Sequence, residues 1–511
     1  MKRYVALFLC FALACLPVAG CGEKVEYRYG DAVAYPDNYG FVSTAKAEGF
    51  SYTVYEDHTE IISVELSDSA SSLKFPSELG GKPVTVIGSG VLSADTTLKS
   101  VLIPDSVEEI GNYAFSGCTA LESVILSKNL KKLGCGTFSE TPWLSSLTDE
   151  FSVVGKGVLI KYNGKGSNIK LPSDVGYISD AFSGNNSITS ITIPDTVKGI
   201  SDSAFYKCGS LSEIDIPTGL ADIGTEAFKG TTWAALSDDE FLVVGDGVLI
   251  DYRGDSTEVT IPDGVKYVAG AFYDNKSITS VVVPDTVKHV RNGSFYNCTS
   301  LTEVSFNGAE TVTDAALFRD CIALSSVKLP ESLEIIDDYL FYGCVRLNSV
   351  NIPESVKYIG KMAFYYCGVL TEVTLPEGVS ELGDGAFFGC TELKKLNMPD
   401  SVSKIGRVCF SCCYNLEPFE LPPKVTVIED GLFSYCLLFK NVTVPERITT
   451  IGQYAFEAIT GITLEIEGNA TVVDASVFGD EPKEAEIICN AGSAAEKCAE
   501  KNNLKYTVRN Q

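Results

Sequence analysis

The chain has 511 residues, 45% of them hydrophobic, with 67 acidic against 40 basic residues and a formal net charge of −27. So negative a surface is repelled by phosphate backbones and anionic headgroups, which argues against a nucleic-acid partner. Two histidines, and no H-E-x-x-H, G-x-S-x-G or Gly-rich phosphate loop ahead of a helix, argue against catalysis. No catalytic, cofactor or metal residue is assigned.

Residues 1–21 read as a targeting segment. Lys2 and Arg3 precede an apolar run from Val5 to Ala19 that is too short and wrongly flanked to span a bilayer. It ends in Val18-Ala19-Gly20-Cys21, which resembles a bacterial lipobox. That resemblance implies that Cys21 becomes the acylated first residue of an exported protein, so that membrane contact is through lipid alone. An ordinary signal peptide with an incidental Cys is the other reading. Residues 22–50 show little period and read as a tether. Residues 51–90 form an irregular N-terminal capping coil, with strand-like stretches at 52–55 and 61–66 and an extended proline turn over 72–87.

From 91 to 483 the text repeats. Phenylalanine recurs at 272, 295, 318, 341, 364, 387, 410, 433 and 456, always 23 residues apart. A fixed period in this range marks a repeat architecture. Each unit reads F-x-x-C-x-x-L-x-x-V-x-L-P-x-x-V-x-x-I-G-x-x-A. The V-x-L pair, as in Val373 and Leu375, alternates with polar residues like a strand with one buried face. Proline then ends the strand, because it lacks an N–H and fixes φ. One unit cannot bury its apolar side alone; stacked units turn Leu, Val, Ile and Phe into continuous ladders.

Two insertions, near 141–168 and 231–258, break the period in the same way. TPWLSSLTDEFSVVGKGVLIKYNG and TTWAALSDDEFLVVGDGVLIDYRG are close copies that carry Trp143 and Trp233, the two tryptophans of the chain. G-K-G and G-D-G between β-branched runs predict hairpins; whether these project or lie flat is open. Residues 484–511 predict a cap with a strand at 487–489, a helix at 493–501 and a strand at 504–508.

Repeat length, proline, Ile-Gly, Ala-Phe and Cys positions together make residues 50–511 resemble the leucine-rich repeats of BspA-like bacterial surface proteins. The resemblance implies a mainly β leucine-rich-repeat solenoid with a parallel sheet along one face, an irregular N-cap and a strand–helix–strand C-cap. It also implies cell-surface display and binding to host or bacterial proteins. One departure is that no Asn follows L-x-x-V-x-L three residues on, so horseshoe curvature and a straighter, β-helix-like coil are both open. About eighteen coils at roughly 5 Å each predict a rod about 90 Å long.

Several columns repeat with the coils. Nine cysteines (118, 208, 298, 321, 344, 367, 390, 413 and 436) follow the repeat Phe by three residues. Their spacing is in disulfide range, but parallel Cβ vectors oppose the required torsion, so a reduced, buried ladder is expected. A Cys489–Cys498 pair across the cap is an alternative. Asp or Glu follows the strand-ending proline at 105, 195, 263, 285, 331, 354, 377, 400 and 446, as turn chemistry or, alternatively, a calcium edge. Tyr206, Tyr273, Tyr296, Tyr342 and Tyr365 form either an exposed stripe able to stack on sugars or a spine packed on itself.

The outward positions of the strands vary while their inward neighbours do not. Glu213, Asp215, Glu303, Ser305, Lys328, Asn351, Glu372, Thr374, Lys395 and Asn397 therefore make up the expected partner-binding face. Three functions follow: a lipid-anchored scaffold recognising host extracellular-matrix or bacterial surface proteins, a carbohydrate-binding accessory, or an envelope protein without a specific ligand.

Overall fold

The computed structural model describes residues 41–67, 70–308, 311–469, 471–479 and 484–509. The chain is a β-solenoid of about 19 turns, with parallel strands about 23 residues apart and little helix. Each coil has three sides. The first is a short strand at the V-x-L position, as where Ser190–Thr192 pairs with Glu213–Asp215. The second is a two-residue strand ending at the Ile of Ile-Gly, as where Gly199–Ile200 pairs with Asp222–Ile223. The third is a run of turns whose backbone also bonds to the next coil, for example Phe205 N–H to the Ala227 carbonyl at 2.8 Å. Coil-to-coil hydrogen bonds on all three sides satisfy the backbone that burial takes from water.

The repeat phenylalanines fill the interior. From Phe272 to Phe456 each ring stacks on the next, with centroids 5.2 to 6.0 Å apart. Burying such a side chain stabilises by roughly 1.5–3 kcal/mol, so the column is a main source of cohesion between coils. Beside it runs the cysteine ladder. All nine thiols are buried and free. Each S–H points to a carbonyl of the preceding coil, as from Cys298 to Phe272 at 2.9 Å and from Cys436 to Phe410 at 3.1 Å. Cys489 and Cys498 are also free.

The glycine of Ile-Gly has a steric reason. A Cβ at Gly134 would lie 2.4 Å from Asn112 N, and one at Gly406 would lie 2.5 Å from Asp384 N. Glycine lets consecutive coils close up on this side. Here too runs an Asx ladder. Asn112, Asp202, Asp338, Asp384 and Asp430 each accept, through Oδ1, the backbone N–H at the same position one coil on, at 2.6 to 2.8 Å.

Close approach on one side bends the stack, so of the two courses left open the coil takes the curved one. The Ile-Gly ladder faces inward, so that distant coils meet across the axis. Asn112 donates to Asp202 at 2.8 Å, and Asp222 pairs with Lys132 at 2.9 Å and Arg291 at 2.6 Å. The N terminus enters the same hollow. The predicted tether ends early, because Phe41–Ala47 is a strand, antiparallel to Phe50–Tyr55, which in turn pairs with Thr59–Val64. Phe41 stacks on Tyr358 at 4.9 Å, and Thr44 bonds to Glu381 and Lys404. Residues 1–40, including Cys21, lie outside the described residues.

The insertions lie flat. Thr141 caps a short helix, Pro142–Ser146, and Trp143 N–H donates to the Leu121 carbonyl. The hairpin Phe151–Val154 and Val158–Tyr162 then adds a rung to the inner ladder, with Val158–Leu159 parallel to Tyr177–Ile178. Gly155 and Gly157 have positive φ, and a Cβ on either would meet a neighbouring carbonyl oxygen within 2.5 Å. The second insertion repeats this with Thr232–Ala235, Trp233, Phe241–Val244 and Val248–Tyr252. Each Trp closes one stretch of the phenylalanine column, and Tyr162 or Tyr252 starts the next. The interior is thereby divided into three large apolar blocks. At the other end Glu486–Cys489, the helix Ala494–Lys501 capped by Ser493, and Tyr506–Val508 close the core.

Two predictions follow from this packing. All nine ladder thiols are buried, and burial raises those of Cys118 and Cys208 to about 11, so iodoacetamide at neutral pH should spare all nine in the native protein and modify all nine after unfolding. A disulfide between neighbouring rungs, found by mass spectrometry of natively prepared protein, would contradict it. Burial pushes the Asp222 carboxyl up, but Arg291 and Lys132 outweigh it and hold it below the usual aspartate range. Its contribution is therefore present above the unfolded pKa of about 3.9 and is lost as pH falls through the lower folded value. Asp222→Asn should destabilise by about 2 kcal/mol at pH 7, less than for a fully buried pair because the partners are partly exposed. Urea melts should show that gap closing in acid.

Candidate functional site

The strand on the first side presents its odd residues to water because its centre is pinned inside. In Glu372–Thr374 the middle Val373 is buried, and Glu372 and Thr374 are exposed. The same holds for Lys395–Asn397, which pairs with it, so that Glu372 sits beside Lys395 and Thr374 beside Asn397. Glu303 pairs with Ser326, and Ser305 with Lys328, in a four-stranded sheet. Glu213 and Asp215 belong to a separate three-stranded sheet, with Asn168–Lys170 and Ser190–Thr192. Asn351 is exposed but lies in no strand. The expected face is thus three patches, and it lies on the side away from the inner ladder.

A second feature borders that face, and the sequence reading missed it. Ile322, Val345, Val369, Tyr414, Leu437 and Leu438 are 38–46% exposed. Each stands one or two residues after a ladder Cys, where the chain turns toward the outer strand. Earlier coils carry Thr119, Gly209 and Thr299 at the first of these positions. The apolar residues in that column, interrupted at Gly368 and Thr391, were the available signal, and it went unread because neighbouring buried columns are apolar too.

The tyrosine column packs on itself. Tyr273 stacks on Tyr296 at 5.1 Å, Tyr342 on Tyr365 at 4.8 Å, and Tyr365 on Phe388 at 4.7 Å. Lys229 lies over Tyr273, Lys207 over Tyr206, and Arg319 over both Tyr296 and Tyr342. Ring faces that a sugar would need are covered by neighbouring rings and cations. In the acidic column, Asp105 accepts from Lys128 N–H one coil on, at 3.0 Å, and not from its own turn. Among the described residues no three or more His, Cys, Asp or Glu side chains are placed to hold a metal ion, and no helix is long and apolar enough to cross a membrane.

The inner hollow is charged. Around the axis lie Glu60, Glu109, Asp202, Asp222 and Asp314, with Lys132 and Arg291. Burial raises Asp202 above the ordinary aspartate range, against the pull of its bonds to Asn112 and Thr225. Burial also pushes Asp314 up, but His289, 2.5 Å away, together with Arg291 brings it below that range. The hollow is partly occupied by the N-terminal strand, so the broad open surface of the middle coils is the outer one.

The crystal structure of a leucine-rich repeat protein from Bacteroides ovatus ATCC 8483 is 24% identical, with 83% of this chain and 99% of that chain covered and a TM-score of 0.35. A leucine rich cell surface protein from Faecalibacterium prausnitzii A2-165 is 20% identical, over 92% and 99%, with a TM-score of 0.27. The pneumococcal vaccine antigen PcpA is 16% identical, over 92% and 100%, with a TM-score of 0.21. No curated protein matches. The family described as BspA type leucine rich repeat region matches residues 59–157, 160–237, 252–369 and 357–483, most of the chain, and the chain belongs to that family.

Proposed function

We propose that the protein is a non-enzymatic scaffold, lipid-anchored through Cys21 at the bacterial cell surface, that recognises a host extracellular-matrix or bacterial surface protein. The observation that carries this reading is the pairing of the apolar ridge with the polar strand patches. Ile322, Val345 and Val369 share their coils with Lys328, Asn351 and Glu372, and Tyr414, Leu437 and Leu438 stand on the two coils beyond that of Lys395. An aliphatic centre with a mixed-charge border is the composition of a protein interface. A scaffold with no ligand has no reason to leave that ridge exposed. The carbohydrate reading is weaker, since it drew on ring faces that other side chains cover.

Two experiments test it. Metabolic labelling with a fatty-acid probe should mark the wild type and not Cys21→Ala; equal labelling of both would remove the lipid anchor. For recognition, the protein would be used to capture partners from matrix and bacterial-surface extracts. Leu437→Ser with Leu438→Ser should weaken binding to the captured partner at least tenfold, about 1.4 kcal/mol. Joint charge reversal at Glu303, Lys328, Glu372 and Lys395 should weaken it further, with the melting temperature nearly unchanged. Undiminished binding by both variants would refute the surface.

A further inference from the structure

The two insertions are copies set 90 positions apart, Thr141 answering to Thr231. They differ where the second one borders a cavity of about 350 Å³. Its boundaries are the turns at 226–231 and 270–273, the helix Thr232–Ala235 and the hairpin that follows. Four of its lining positions carry shorter side chains than their counterparts in the first copy. Ala234 stands where that copy has Leu144, Ser237 where it has Leu147, Asp251 where it has Lys161, and Gly270 where it has Asp180. In the first copy the longer groups brace the insertion. Leu144 and Leu147 pack against the core, and Lys161 Nζ donates to their carbonyls at 2.9 and 2.8 Å. Asp180 accepts from Gly136 N–H at 2.9 Å and so ties one turn to the other. In the second copy Arg253 holds the carbonyls of Ala234 and Ser237 instead, and the space between the turns stays open.

Removing side-chain atoms from such a space forfeits their packing contacts, and a ligand would restore them. The walls set its class. Ala227, Phe228, Leu242 and Ala271 are buried and apolar. The charges cancel: Lys229 pairs with Glu226 and lies over the Tyr273 ring, and Arg253 pairs with Asp251 at 2.8 Å. A charged ligand would have to break one of these pairs and leave a charge unmatched. The Thr231 hydroxyl is committed as well, donating to the Phe228 carbonyl at 2.8 Å and accepting from Ala234 N–H at 3.1 Å. Ligand pockets begin at about 300 Å³, and a cavity of about 150 Å³ takes one benzene ring, so this one has room for two fused rings.

We propose that the second insertion holds a binding site for an uncharged, largely apolar small molecule of one or two rings. The molecule contacts the Phe228 coil on one side and the Ala271 coil on the other, and takes the place of the braces that the first insertion supplies from its own side chains. This site is independent of the outer recognition surface.

The test uses the full chain with indole as the probe, followed by ligand-observed NMR titration and by thermal melting. Indole should bind saturably, with a Kd of about 1 mM or tighter, and raise the melting temperature. Ala234→Leu with Ser237→Leu, which restores the residues of the first copy, should melt no lower than the wild type and bind indole at least tenfold more weakly. Ala234→Leu alone, a smaller filling, should weaken binding in the same direction. Indole-3-acetate, which adds a carboxylate to the same rings, should bind at least tenfold more weakly than indole. No saturable binding of indole by the wild type, or undiminished binding by the filled variants, would overturn the site. Indole-3-acetate binding as tightly as indole would overturn the restriction to uncharged molecules.

Discussion

Much of this structure depends on how closely two consecutive coils can approach at the glycine after the second-side Ile. With a Cβ at Gly134, Gly224, Gly383 or Gly406, that atom would lie 2.2–2.6 Å from the backbone of the preceding coil. Glycine removes the obstacle, and an Asn or Asp one coil back takes the N–H of the residue that follows it. The opposite side carries ordinary three- or four-residue strands, with no comparable compression. A stack held tighter on one side than the other must bend toward the tight side, and the inner charges, the hollow and the position of the N-terminal sheet all follow from that bend.

Bending also sorts the chemistry. The residue just before the second-side Ile varies from coil to coil, as Glu109, Lys132, Asp222, Glu381 and Lys404 show, and the bend turns all of them toward the axis. There opposite charges from distant coils meet, in the Lys132–Asp222–Arg291 group above all. The outer strands are left facing water, with their short polar side chains and the apolar ridge beside them. Rigid interior ladders and a variable exterior are what a scaffold needs to present a wide surface.

The insertions interrupt the core without weakening the stack. Trp143 and Trp233 cover the end of one phenylalanine column, and the hairpins replace a missing coil with an extra rung of the inner ladder. Backbone pairing continues on the inner side where the apolar column is cut, because hydrogen bonds along a ladder need only a strand, whereas the Phe column needs a whole coil.

Period, strand positions, hairpins, the C-terminal strand–helix–strand order and the buried cysteine ladder were all legible in the amino-acid sequence. Each is a local property repeated many times, and repetition makes a weak local signal strong. The expected outer face at Glu372, Thr374, Lys395 and Asn397 was legible for the same reason: alternation along a strand decides which residues are exposed. Curvature was not, although every glycine that causes it is visible in the text. Its sum over many coils decides whether Asn112 reaches Asp202, or Phe41 reaches Tyr358 more than three hundred residues away, and no periodicity encodes such a pairing. The sequence by itself determined a stack of identical coils and what lies inside each one. Only the tertiary structure decided which side of the stack is hollow and which charges face one another across it, because these are set by accumulated geometry and not by any single repeat.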